Sequence, residues 1–155
     1  MLLNPRVVLK GRFMMKIVIA GLLAIHGLIN AFQSSGSFKP TGGIPNPGWL
    51  GWWPVQMGQS WLFACLGIEK SFVGTLAGIL WLAAGAALIA AGLGLFGILI
   101  PTAWWRPLAG IGAGLSLLML ILYANPMYLV GIGANLAILI VLLWAQWPSP
   151  EVLGS

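Results

Sequence analysis

One histidine, His26, stands among the apolar stretches of this chain, and imidazole is both a hydrogen-bonding group and a common metal ligand. His26, Asn30 and Gln33 follow one another at intervals of four and three, so a helix carries all three on one face. Ser116, in a later apolar stretch, falls at a similar depth by residue counting, and Asn135 lies about nine residues, or roughly 14 Å at a 1.5 Å rise, inside the outer end of the last one. Together the five form a candidate small polar pocket beneath the tryptophan-rich stretch that follows Gln33. Its candidate ligands are a quinone or lipid head group, with a pigment or haem ligated by His26 ranking behind them. The plainer alternative is an interhelical hydrogen-bond network, in which each bond contributes around 0.6 kcal/mol on average.

Catalytic chemistry finds little support. Acid–base catalysis needs two titratable groups with separated pKa values. The available set is His26, Cys65 and Glu69, and Glu69 is followed by Lys70, where an exposed ion pair is the default. There is no glycine loop with a Lys-Ser/Thr ending to cradle phosphate, and no histidine pair for zinc. One cysteine allows neither an internal disulfide nor a multi-cysteine metal site. The expectation is therefore no catalytic residue and no metal.

The elements that must position these residues follow from composition. Hydrophobic residues make up 60% of the chain and charged residues 6%, against roughly 25% charged in a soluble domain. So few charges cannot cover a water-facing surface, but they suit a lipid-facing one. No charge occurs from Ser71 to Trp105 or from Pro107 to Pro150. A crossing helix needs about 20 apolar residues. The spans expected are 13–32, 71–98, 107–123 and 126–144, with Asn125-Pro126 as a tight turn between the last two. The fold class is all-α: an integral membrane four-helix bundle, 1–155 forming a single membrane domain.

The connection 33–70 is long and rich in Gly, Pro, Ser and Trp. Its prolines argue against a long helix. Trp49, Trp52, Trp53 and Trp61 argue against a free tail, because indole favours the membrane interface. It reads as an ordered cap on the outer end, with room for a short hairpin or interfacial helix. Arg6, Lys10, Arg12, Lys16 and Arg106 fall on one side of the proposed spans, Lys39 and Lys70 on the other. That bias places both termini in the cytoplasm. Trp104, Trp105, Trp144 and Trp147 then form an inner belt, with Tyr123 and Tyr128 at the outer edge. The basic cluster followed by an apolar run also has the layout of a signal peptide, the less favoured reading. The net charge of +5 reads as an orientation signal and a lipid contact, not a nucleic-acid surface.

Small residues supply the packing that lipid does not drive. Gly74 and Gly78 lie four apart on the second span, Gly110 and Gly114 on the third, and Gly131 and Gly133 thin the fourth. The stretches "LLAIHGLINAF", "GILWLAAGAALIAAGLGLF", "WWRPLAGIGAGLSLLMLIL" and "GIGANLAILIVLLW" resemble small four-helix bacterial membrane proteins of the DoxX-like family. The resemblance covers about Leu22 to Trp144, and His26-Gly27 and Trp104-Trp105-Arg106-Pro107 carry most of it. It implies a four-helix bundle with a long first outer loop in a bacterial inner membrane. Some relatives are similar to a small subunit of a quinone-reducing oxidoreductase. This chain departs from those in having no acid or thiol inside its spans. The leading expectation is a non-catalytic subunit, in contact with lipid and other membrane subunits of a larger complex, with a respiratory or photosynthetic electron-transfer assembly as the first candidate. The alternatives are a quinone- or lipid-binding redox subunit and a transporter component.

Overall fold

The structure is a computed structural model that describes residues 5–38 and 44–153. Among the described residues six α-helices follow in order: α1 (Pro5–Phe38), α2 (Trp61–Leu66), α3 (Lys70–Gly94), α4 (Trp105–Leu122), α5 (Leu129–Leu139) and α6 (Pro150–Leu153). One π-helical turn, Ile140–Trp144, prolongs α5. Four helical stretches are long and apolar enough to cross a membrane: Leu9–Phe38, Lys70–Gly94, Thr102–Leu122 and Pro126–Trp144. The fold is all-α, a four-helix bundle as the composition requires.

The boundaries differ in instructive ways. α1 continues to Phe38 instead of ending at Phe32; along this last stretch Ser34, Ser35 and Ser37 turn their hydroxyls back onto the carbonyls of Ala31, Phe32 and Gln33, so their polar groups are satisfied within the helix. The loop therefore begins after Phe38; Lys39 lies outside the described residues. α3 stops at Gly94, not Ile98, and Gly97 and Leu99 follow with φ of 67° and 62°, the left-handed region that ends helices.

The helices pack in sequence: α1 on α3, α3 on α4, α4 on α5. Glycines set the closest approaches. A Cβ on Gly85 would lie 2.6 Å from the Gly27 carbonyl oxygen, and one on Gly27 would lie 2.7 Å from that of Gly85. α1 and α3 thus cross backbone to backbone there. Gly112 of α4 meets Leu88 and the Ala84 carbonyl, and Gly78 meets the ring of Phe38. Gly110, Gly114 and Gly133, by contrast, have open space where a Cβ would stand. On α4 the packing glycine is Gly112, so the Gly110/Gly114 pair faces away from its own bundle.

Two apolar clusters form the core. Leu23, Leu88, Leu95, Trp105 and Leu142 meet toward the terminal end. Ala77, Trp81, Met119, Leu120 and Tyr123 meet toward the loop end. Trp105 and Tyr123 are therefore core residues, not interfacial ones. Trp104, Trp144 and Trp147 remain exposed. Arg106 lies over the Trp105 ring at 5.3 Å and donates to the Gln146 and Pro148 carbonyls, tying the C-terminal segment to the start of α4.

The described part of the loop, from Ile44 on, caps the end of α4. A helix leaves its last carbonyls without intrahelical donors, and the loop supplies them for α4. Trp61 Nε1 donates to the Ile121 carbonyl at 3.0 Å, Ser60 Oγ to that of Leu122 at 3.0 Å, and Trp53 Nε1 to that of Ala124 at 2.8 Å. Asn125 donates to Asn46 Oδ1 and the Val55 carbonyl while accepting from the Met127 N–H. One isolated bridge pairs Ile44 with Met57. Trp49 and Trp52 stay exposed, as an interfacial belt requires.

Candidate functional site

Four of the five candidate residues meet or adjoin; the fifth does not. His26 Nε2 lies 2.9 Å from Asn135 Oδ1, and Asn135 Nδ2 donates to Ser116 Oγ and to the Gly131 carbonyl, each at 2.9 Å. The chain of bonds links α1, α5 and α4. Asn135 and Ser116 are fully buried, whereas His26 is half-buried. Asn135 is the central residue of the span Pro126–Trp144, so this network sits at mid-span and not beneath the loop.

Asn30 stands one turn beyond His26 and is only 2% exposed. Its amide donates to the His26 carbonyl at 2.8 Å, and its Oδ1 has no hydrogen-bond partner among the described residues. An unpaired buried carbonyl costs about 1–3 kcal/mol.

Gln33 separates from this group. It is exposed and lines a second cavity of about 330 Å³ under the loop, with Ser37, Met57, Trp81, Tyr123 and Tyr128. There Ser37 and Tyr123 hydroxyls lie 3.3 Å apart, and the Gly58 N–H donates to the Tyr128 hydroxyl. The expected single pocket is two sites. His26, Asn30 and Gln33 share α1, but α1 is long enough to carry its Gln33 end past the α5 contact.

Sequence reading missed the larger cavity. α1 and α5 both pack on the α3–α4 centre but leave a groove of about 440 Å³ between them. Leu22, Ile25, Ile29, Ala137, Ile138 and Val141 line it, with His26 on its wall and Trp147 at its margin. The signal in the sequence was the large apolar side chains flanking His26, indistinguishable from lipid-facing residues until the α5 backbone was placed.

Among the described residues no group of three or more His, Cys, Asp or Glu comes together to hold a metal. Glu69 accepts from the Ser71 hydroxyl at the start of α3, and Cys65 is exposed. Both lie on the loop side, in sequence and in the fold, far from His26.

These features define a class: an all-α chain with four potential membrane spans, a polar mid-span network and a lateral apolar groove. No protein-family model, no curated protein and no solved structure matches the chain.

Proposed function

We propose that this chain is a non-catalytic, multi-pass membrane subunit that holds an uncharged bilayer amphiphile, of quinone or lipid type, between α1 and α5. The observation that carries this reading is the groove: about 440 Å³, walled by aliphatic side chains, with His26 as its polar point. That combination of a mostly apolar cleft with few placed polar groups is the general form of a small-molecule site. The shortage of titratable partners around His26 argues for binding without turnover. The basic N-terminal cluster supports a bacterial cell membrane with both termini in the cytoplasm, in line with the DoxX-like resemblance.

The test is lipid extraction. Ala137→Phe places a ring in the groove without touching the hydrogen-bond chain. Protein purified in mild detergent should carry an enriched apolar species that Ala137→Phe lacks. Identical extracts from both proteins would refute the reading.

A second reading, accessory subunit of an electron-transfer complex, is favoured by the outward Gly110/Gly114 pair, whose spacing suits close approach of another helix. Gly114→Cys in a Cys65→Ser background should then cross-link to one defined membrane partner in native membranes. Cross-linking to none would count against it.

A further inference from the structure

We infer that the groove selects a ligand whose head group donates a hydrogen bond to His26, namely an uncharged long-chain alcohol, in preference to a carbonyl-headed molecule. This rests on the groove reading above and deepens it. The argument begins at Asn135. The Gly131 carbonyl can only accept, so the Asn135 group 2.9 Å from it must be the amide nitrogen. The Oδ1 then faces His26 Nε2 at 2.9 Å. Since Oδ1 also can only accept, Nε2 carries the proton. No acid lies in the apolar stretches that hold His26 and Asn135, and an isolated charge at mid-span is costly. In the neutral imidazole whose Nε2 carries the proton, Nδ1 is a bare acceptor.

That Nδ1 has no donor among the described residues, and it is not among the side-chain atoms sealed from the surface. The surface that His26 lines is the groove. A carbonyl or ether oxygen placed there would set acceptor against acceptor. A hydroxyl would complete the chain from ligand to His26, Asn135 and Ser116. The walls beside His26 are aliphatic, and the aromatic ring of the groove, Trp147, lies beyond the end of the helical span. An acyclic chain fits these walls better than a ring that needs stacking. Charge complementarity agrees: no charged side chain lines the groove.

Two measurements test this on the full-length protein in detergent. The chain has one histidine, so its imidazole ¹⁵N signals are unambiguous. They should show the Nε2–H tautomer, and the Nδ1 signal should move when geranylgeraniol is added. An Nδ1–H tautomer would overturn the inference. Equilibrium binding of geranylgeraniol should be about ten-fold tighter than that of its methyl ether. In His26→Phe the two should bind alike. If alcohol and ether bind equally to the natural protein and both are lost in Ala137→Phe, the hydroxyl preference is wrong while the groove stands. If neither probe binds, or Ala137→Phe changes nothing, the groove reading itself fails and takes this one with it.

Discussion

The α3–α4 centre and the α1–α5 seam are built from similar residues and solve opposite problems. In the most apolar eighteen-residue stretches of the α3 and α4 spans, 44% and 39% of residues are buried within the chain, against 17% for α1 and 11% for the α5 span. The centre, including the α1–α3 crossing, closes through glycine and small side chains against backbone. The seam keeps its backbones apart and is bridged through the His26–Asn135 bond. A membrane protein gains no hydrophobic energy by closing a seam, because lipid is as apolar as leucine. The open seam therefore costs little, and a polar bridge suffices to set its width. The π-helical turn that prolongs α5 on that side is of the kind often found at functional positions.

The sharpest way to break the comparison is at the centre. Gly85→Val would drive a side chain into the Gly27 carbonyl, 2.6 Å from where its first carbon would stand. The expected loss is about 3 kcal/mol, read as unfolding at lower denaturant in micelles. Gly114→Val, with open space around it, should change the stability of the isolated chain by less than about 0.5 kcal/mol. Equal losses at both positions would mean that the close crossing is not what holds the centre.

At the seam, a double-mutant cycle on His26→Leu and Asn135→Leu should give a coupling of about 0.6 kcal/mol, and no more than about 1.7. Asn135→Leu alone should cost more than the coupling, because it also strands Ser116 and the donor on His26. A coupling near zero would mean that something other than this bond sets the seam.

The loop offers an intermediate case. Trp61→Phe keeps the ring and removes the donor to the Ile121 carbonyl. It should cost about 1 kcal/mol and speed amide exchange in residues 44–66 while leaving α3 unchanged. Exchange that rises equally throughout the bundle would mean that the cap is not a separable element.

Why the centre was legible and the seam was not follows from the same physics. Charge-free stretches of the right length announce four helices, and indoles among prolines announce an interfacial cap. His26, Asn30 and Gln33 do lie on a single helix, α1, but Asn30 is buried and Gln33 exposed. Sequence could not reveal which small-residue pairs meet a neighbour: Gly110/Gly114 has the familiar spacing yet finds open space, while Gly27 and Ala31, also four apart, both pack against Gly85. Rotation about the helix axis decides this, and an apolar helix in lipid has almost no amphipathic signal to fix it. Nor could residue counting find the groove, since a cavity between two helices depends on how far apart their neighbours hold them. The His26-Gly27 and Trp104-Trp105-Arg106-Pro107 pieces have plain packing duties here. Gly27 makes the α1–α3 crossing, and Arg106 ties down the C-terminal segment.

At Asn30 the sign of the effect is informative. The side chain is buried and spends its amide on the His26 carbonyl, which already belongs to the helical ladder of α1. Its Oδ1 has no partner among the described residues. Asn30→Leu removes an unpaired acceptor and replaces it with a side chain of similar size, and the carbonyl it abandons keeps its place in the helix. If Oδ1 is an idle acceptor, the variant should be as stable as the natural protein or more so by up to about 1 kcal/mol. If instead a ligand or partner donates to that oxygen, the purified chain should behave the same way, but the protein in its native membrane should become less stable. Thermal unfolding measured in micelles and in native membranes separates the two. A loss above about 1 kcal/mol already in micelles would show that Asn30 belongs to the closed centre and not to the seam.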